Sequence, residues 1–246
     1  DYVGYGVSQQ WEHPYTVHHE LAEVSVDMLR ATKTLLEELA LPFSGNIFAT
    51  GWSEGGGAGL ALHKYVQTQY ALEFTLKASS LFAGPYDYFT FFKDIFANST
   101  LANENMSIYS WGAYAMNTNS EKLNQNANSI WSYSVSNQLD ALDVPSNRPD
   151  AIFQTEFIQS IVNETDTEFI TAIKGNSLLE GWIPQGRLYF HSGTQDGIVP
   201  HYNSTNAHQH FGNIGANSTL YEYPGGDHYT PLYDYVITTL NDFNTL

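Results

Sequence analysis

Residues 46–55 read Asn-Ile-Phe-Ala-Thr-Gly-Trp-Ser-Glu-Gly, a short apolar run followed at once by a serine between two glycines. The apolar run is typical of a buried strand, and Gly51–Gly57 is expected to form a glycine-rich turn. Helical spacing of apolar residues returns over Leu60–Tyr70, and Leu76–Phe82 has the character of a second strand. Because strand, helix and strand in this order form a βαβ unit, we predict an α/β fold with a mostly parallel sheet.

Further elements are expected on both sides of this unit. Apolar residues at helical spacing predict a helix over Val17–Ala40, which ends near a proline and a glycine. Arg187–His191 and Thr219–Tyr223 are predicted to be strands, and Pro231–Phe243 is predicted to be a closing helix. Helices are therefore expected to flank the sheet.

The middle of the chain has a different character. Residues 88–185 are rich in Asn, Ser and aromatic residues and show only weak helical patterns. We interpret them as a cap inserted into a core that consists of residues 1–87 and 186–246.

The segment Gly51–Gly55 matches the pattern G-x-S-x-G, which places a serine on a sharp turn between a strand and a helix. Flanking glycines remove the Cβ atoms that would collide in so tight a turn. The helix N-terminus favours the negative charge that develops during acyl transfer. Ser53 is therefore the candidate nucleophile.

A serine hydroxyl needs a base, and the motif predicts the order serine, acid, histidine along the chain. His228 follows the last predicted strand, and Asp196 directly follows the strand before it. Asp227 is a rival acid, but it is the immediate neighbour of His228 and poorly placed to reach the far side of that ring. We predict that His228 lies within hydrogen-bond reach of both Asp196 and Ser53, about 2.6–3.2 Å.

The composition excludes several classes of function. The net charge is −17, so a phosphate backbone would be repelled and no nucleic-acid partner is expected. No run approaches the roughly 18 apolar residues of a membrane span. The chain has no cysteine, which excludes thiolate metal sites, and the adjacent His18 and His19 would point about 100° apart on a helix. We predict no metal and no cofactor.

With these motifs in place, the sequence resembles the α/β-hydrolase superfamily, and more narrowly the secreted lipases and esterases of bacteria. Besides the two loops with Asp196 and His228, the resemblance depends on residues 1–8, 13–15, 51–55 and 83–87. It implies hydrolysis of carboxylic esters, of small molecules or lipids, through an acyl-enzyme on Ser53. The backbone N–H of Glu54 would be one oxyanion donor, and a secreted or periplasmic bacterial protein is expected.

In the resembling proteins the motif at Asp1–Ser8 follows several strands and a loop that supplies the other oxyanion donor. We therefore expect the N-terminal strands and that donor to lie outside residues 1–246. An upstream segment of the native product, or else a second chain, would complete the sheet.

The substrate itself is less well defined by the sequence. Trp52, Tyr86, Phe89 and Tyr2 are candidate substrate-binding residues because aromatic side chains commonly line acyl pockets. Two alternatives stay open: a serine peptidase on the same scaffold, and a non-catalytic binding protein with this fold.

Overall fold

The computed structural model describes residues 1–120 and 123–246, which form two compact units. The sheet unit consists of His18–Asp87 and Leu178–Leu246, and the helical unit consists of Asp1–Val17 and Tyr88–Ser177.

One parallel sheet is present in the described residues, with the strand order β1-β2-β3-β4. The strands are β1 (Ile47–Trp52), β2 (Leu76–Phe82), β3 (Arg187–Gly193) and β4 (Ser218–Tyr223). β2 and β3, the two inner strands, are buried almost along their whole length, as expected for a parallel sheet that is covered on both faces. The predicted parallel sheet is thus confirmed.

The helices account for most of the remaining chain. They are α1 (His18–Glu38), α2 (Glu54–Gln69), α3 (Tyr88–Ala97), α4 (Met106–Asn119), α5 (Ala127–Ile130), α6 (Gln138–Leu142), α7 (Pro149–Ile152), α8 (Thr155–Val162), α9 (Thr167–Asn176), α10 (Tyr202–Asn213) and α11 (Leu232–Phe243). In the sheet unit, α2 packs against β1 and β2, α10 against β3 and β4, α11 against β2, and α1 against α2. No helix in the described part of the chain combines the length and apolar character needed to cross a bilayer.

The core of the sheet unit extends beyond the predicted boundary at residue 186. Leu178 and Trp182 pack with Leu60, Phe190 and Phe211 in one buried cluster. Each such large apolar side chain contributes about 1.5–3 kcal/mol to the stability of the fold when it is buried. Residues 178–185 therefore group with the sheet and not with the inserted segment.

The first residues of the chain also group differently from the prediction. Within the helical unit, the Glu12 carboxylate accepts hydrogen bonds from the Tyr114 hydroxyl at 2.8 Å and from the Gln138 backbone N–H at 3.0 Å. The His13 backbone N–H donates to the Gln138 side chain at 3.0 Å. These contacts connect residues 1–17 to the inserted helices. The core of those helices contains a cluster of phenylalanine rings, in which the ring centres of Phe96 and Phe153 are 4.9 Å apart.

Two buried histidines make the sheet unit sensitive to acid. Burial lowers the pKa of His63 from 6.5 to about 4 and that of His191 from 6.5 to about 3. Above pH 6.5 both the folded and unfolded states are neutral at these positions. As the pH falls below 6.5, only the unfolded state takes up these protons, so the free energy of unfolding decreases.

We expect the free energy of unfolding to fall by about 5 kcal/mol between pH 7 and 4.5 from these two histidines, at about 1.4 kcal/mol per pH unit each. Urea titrations across this range measure the loss. His63→Gln should remove about half of the pH dependence, because only one buried imidazole then remains. A free energy of unfolding that does not change from pH 7 to 4.5 would contradict this account.

Candidate active site

Ser53 is the single residue between the end of β1 and the start of α2. Its backbone has φ 58° and ψ −126°, a region that L-residues rarely adopt. Three backbone hydrogen bonds hold it there: Ser53 N–H donates to Phe82 O at 2.9 Å, and Ser53 O accepts from the N–H groups of Gly56 at 2.9 Å and Gly57 at 3.3 Å. The strained turn is thus fixed by both β2 and the first turn of α2.

The glycines around Ser53 allow close packing. The predicted glycine-rich turn over Gly51–Gly57 is wrong at both ends, because β1 extends to Trp52 and α2 already begins at Glu54. A Cβ on Gly51 would lie 1.9 Å from the carbonyl oxygen of Gly55, and a Cβ on Gly56 would lie 2.9 Å from the last carbonyl oxygen of β2. These glycines bring a strand, a turn and a helix closer than any side chain would permit.

We expect Gly51→Ala to destabilise the fold by several kcal/mol, because the added methyl group meets backbone atoms that cannot move aside cheaply. Gly55→Ala is the matched control, since its Cβ would meet nothing within 4 Å. In a helix that control should be neutral or stabilising by about 0.5–1 kcal/mol. Urea denaturation measures the free energy of unfolding of both variants. Equal values for Gly51→Ala and Gly55→Ala would contradict the prediction, because the backbone would then have relieved the clash at Gly51.

Asp196 and His228 form a buried pair in the loops after β3 and β4. His228 Nδ1 lies 2.7 Å from Asp196 Oδ2. The other carboxylate oxygen, Oδ1, accepts from the backbone N–H groups of Ile198 and Val199, both at 2.9 Å. Because a carboxylate only accepts hydrogen bonds, the imidazole donates from Nδ1 and leaves Nε2 as the atom able to accept a proton.

The two loops that carry this pair are packed backbone against backbone. A Cβ on Gly193 would lie 2.4 Å from the carbonyl oxygens of both Gly226 and Asp227. Gln195 N–H donates to Gly226 O at 2.9 Å. The distance between the acid and the base is therefore set by main-chain contacts.

Trp52 links the Ser53 turn to the base loop. Its indole Nε1–H donates to the backbone oxygen of His228 at 2.9 Å, and the two rings are 5.4 Å apart. Among the described residues, no hydrogen bond joins the Ser53 hydroxyl to His228. Of the two predicted hydrogen bonds of His228, the one to Asp196 is therefore present and the one to the Ser53 hydroxyl is not; Trp52, the neighbour of Ser53, bonds the His228 backbone instead.

The rival acid, Asp227, is engaged elsewhere. Its Oδ1 accepts from the N–H groups of Thr230 at 2.7 Å and Tyr229 at 2.8 Å. These bonds lower the pKa of the exposed Asp227 carboxyl, and the bond from Thr230 has the largest effect. Asp227 shapes the turn that follows His228 and does not bond its ring.

The other predicted site residues are distributed over both units. Glu54 opens α2, so its backbone N–H lies at the positive end of the helix dipole. Tyr86 is fully buried against Phe190 in the core of the sheet unit, which argues against the predicted contact with substrate. In the helical unit, the Tyr2 ring lies edge-on to the ring of His13. The Phe89 ring centre lies 4.5 Å from the ammonium nitrogen of Lys174.

The same set of elements recurs in solved structures of esterases and lipases. No protein-family model and no curated protein matches this chain. A rice cell wall degrading esterase, LipA, from Xanthomonas oryzae superposes with a TM-score of 0.79 at 24% identity, over 96% of this chain and 66% of LipA. A solved structure of a protein from Legionella pneumophila gives a TM-score of 0.85 at 20% identity, over 100% of this chain and 68% of that one. This chain has the α/β-hydrolase fold.

Lipase A from Candida antarctica, in its closed state, shares this α/β-hydrolase fold with a TM-score of 0.73 at 14% identity. The match covers 94% of this chain and 56% of the lipase. This chain thus spans just under two thirds of the length of LipA and little more than half of the length of the Candida enzyme.

Proposed function

We propose that this chain carries the catalytic centre of a serine hydrolase that cleaves carboxylic esters, an esterase or lipase. The observation that supports this best is the buried Asp196–His228 hydrogen bond of 2.7 Å, in a unit that also holds Ser53 in a strained strand-to-helix turn. The likeness to an esterase and a lipase of the same fold agrees with it.

In the proposed mechanism, Ser53 Oγ attacks the acyl carbon of the ester while His228 Nε2 accepts the hydroxyl proton. Asp196 holds the imidazole in the required tautomer and stabilises the imidazolium. The Glu54 N–H stabilises the oxyanion at the N-terminus of α2. The tetrahedral species collapses when His228 returns its proton to the departing alcohol, which leaves the acyl group on Ser53.

Water completes the cycle in the second half of the reaction. His228 Nε2 takes a proton from the water as its oxygen attacks the acyl carbon. Collapse then releases the carboxylic acid and returns the proton to Ser53. No step needs a metal, and no cluster of three or more potential ligand side chains (His, Asp or Glu) that could hold one occurs in the described residues.

A panel of nitrophenyl esters from two to sixteen acyl carbons, beside matched peptide anilides, tests this proposal. We expect turnover of at least part of the ester series and little of the anilides. Faster anilide turnover would favour the peptidase alternative. Binding without turnover of either class would favour a non-catalytic protein.

A further inference from the structure

Polar side chains form a continuous chain of hydrogen bonds across the sheet unit, close to the carboxyl ends of its strands. Ser80, His191, Tyr235 and Thr239 are buried, whereas Thr50 at one end of the chain is exposed. This cross-sheet network consists of Thr50 on β1, Ser80 on β2, His191 on β3, Tyr223 on β4, and Tyr235 and Thr239 on α11. Three of the four strands that it joins, β1, β3 and β4, are those that precede Ser53, Asp196 and His228.

Ser80 and His191 form the centre of the network. Ser80 Oγ lies 3.0 Å from His191 Nε2 and 2.6 Å from Thr239 Oγ1, and His191 Nδ1 lies 2.9 Å from the Tyr223 hydroxyl. Burial keeps His191 neutral at ordinary pH, so one ring nitrogen donates and the other accepts. A buried network whose polar groups bond one another in this way is rigid.

The hydroxyl of Tyr235 connects this network to the turn that carries Ser53. It lies 2.5 Å from Thr50 Oγ1 and 2.8 Å from Ser80 O, and it accepts from the Gly51 N–H at 3.1 Å. A phenol can accept from an N–H and a hydroxyl while it donates its one proton to a carbonyl oxygen. The Tyr235 hydroxyl is therefore bonded to backbone or side-chain groups of both β1 and β2.

The place of Tyr235 in the chain makes these contacts relevant to the site. Gly51 is two residues before Ser53, and α11 begins at Leu232, four residues after His228. The Tyr235 hydroxyl thus fixes the end of β1 against the helix that follows the base loop. Trp52 makes the second connection between the same two parts of the unit.

We propose that Tyr235 is a positioning residue for the reaction, which acts through Gly51 to align Ser53 with His228. This inference rests on the proposed function. Without the hydroxyl, Gly51 at the end of β1 loses its hydrogen bond to α11, and Ser53 Oγ is held less firmly in the position from which its proton would pass to His228 Nε2. A misplacement of about 1 Å can lower a rate by about 10²-fold.

Tyr235→Phe tests this role, with Tyr233→Phe on the same helix as the matched control because Tyr233 is 75% exposed. The measurements are the rate of labelling by a fluorophosphonate probe, and kcat and KM for one nitrophenyl ester, well below the melting temperature. We expect Tyr235→Phe to lower the labelling rate and kcat about 10- to 100-fold with KM changed less than about threefold. Tyr233→Phe should match the wild type.

A purely structural role for Tyr235 would lower the melting temperature and leave kcat per folded molecule unchanged, and that result would overturn the inference. If Tyr235→Phe does not fold, Thr50→Val decides, because it removes one partner of the hydroxyl and conserves the side-chain shape. We expect about 3- to 10-fold slower labelling of Thr50→Val. If Thr50→Val is labelled at the wild-type rate, the inference about Tyr235 is overturned and the proposed function stands. If the wild-type protein is neither labelled nor able to turn over esters, the proposed function is overturned as well.

Discussion

Ser53→Ala should lower kcat for ester hydrolysis by at least about 10³-fold without unfolding the protein. In the proposed mechanism, the variant loses the only atom that forms the bond to the acyl group, so the acyl-enzyme route is closed. The three backbone hydrogen bonds that hold residue 53 in its turn involve main-chain atoms and are not removed. Steady-state kinetics on a nitrophenyl ester and a thermal melt measure both parts of this expectation.

Ser44→Ala is the control for this experiment, because Ser44 is an exposed residue in the segment before β1. It should keep the kcat and melting temperature of the wild type. Turnover by Ser53→Ala that is close to the wild-type rate would refute Ser53 as the nucleophile.

Asp196→Asn should lower kcat by about 10³- to 10⁴-fold, because it forces the wrong tautomer on His228. Asp196 Oδ1 accepts from the Ile198 and Val199 N–H groups, so the amide oxygen of the asparagine must take that side. The amide NH₂ group then faces His228 Nδ1, which has to accept instead of donate. The imidazole proton moves to Nε2, which can no longer take the proton of Ser53.

Asp227→Asn separates this effect from a general loss of negative charge beside the base. Asp227 bonds the N–H groups of Tyr229 and Thr230, so its replacement should change kcat less than about threefold. The same kinetic assay serves for both variants. If Asp227→Asn lost much of its kcat and Asp196→Asn lost little, Asp227 would be the acid and the assignment of Asp196 would be wrong.

The sheet could be predicted well because its strands are marked by local patterns. β2 was expected over Leu76–Phe82 and has those bounds, and α1 (His18–Glu38) lies within the predicted helix over Val17–Ala40. Short apolar runs between glycines and prolines carry the signal for buried strands, and apolar spacing carries the signal for helices. The α/β fold therefore follows from sequence alone.

The candidate site could be predicted only at the level of residue types and order. Asp196 was expected to pair with His228 because each follows a strand, and the structure contains that pair. The roles of Trp52 and Tyr86 depend on packing: one side chain bonds the His228 loop, and the other is buried in the core. No local pattern distinguishes an aromatic residue in a core from one in a pocket.

Long-range polar contacts were beyond the reach of sequence reasoning. Tyr235 stands in an ordinary helical pattern, and its partner Thr50 is 185 residues away in the chain. The helix α10 (Tyr202–Asn213) was also not predicted, because its sequence is polar and rich in Asn and His. Tertiary contacts stabilise such a helix more than its own propensity does.

The site at which a fluorophosphonate probe bonds to the protein tests the central claim most directly. The probe reacts with a serine only when a base activates that hydroxyl, and peptide mapping by mass spectrometry identifies the labelled residue. We predict one adduct per chain, on Ser53, and none after His228→Ala. An adduct on another residue, or ester hydrolysis by a protein whose Ser53 stays unlabelled, would contradict the account.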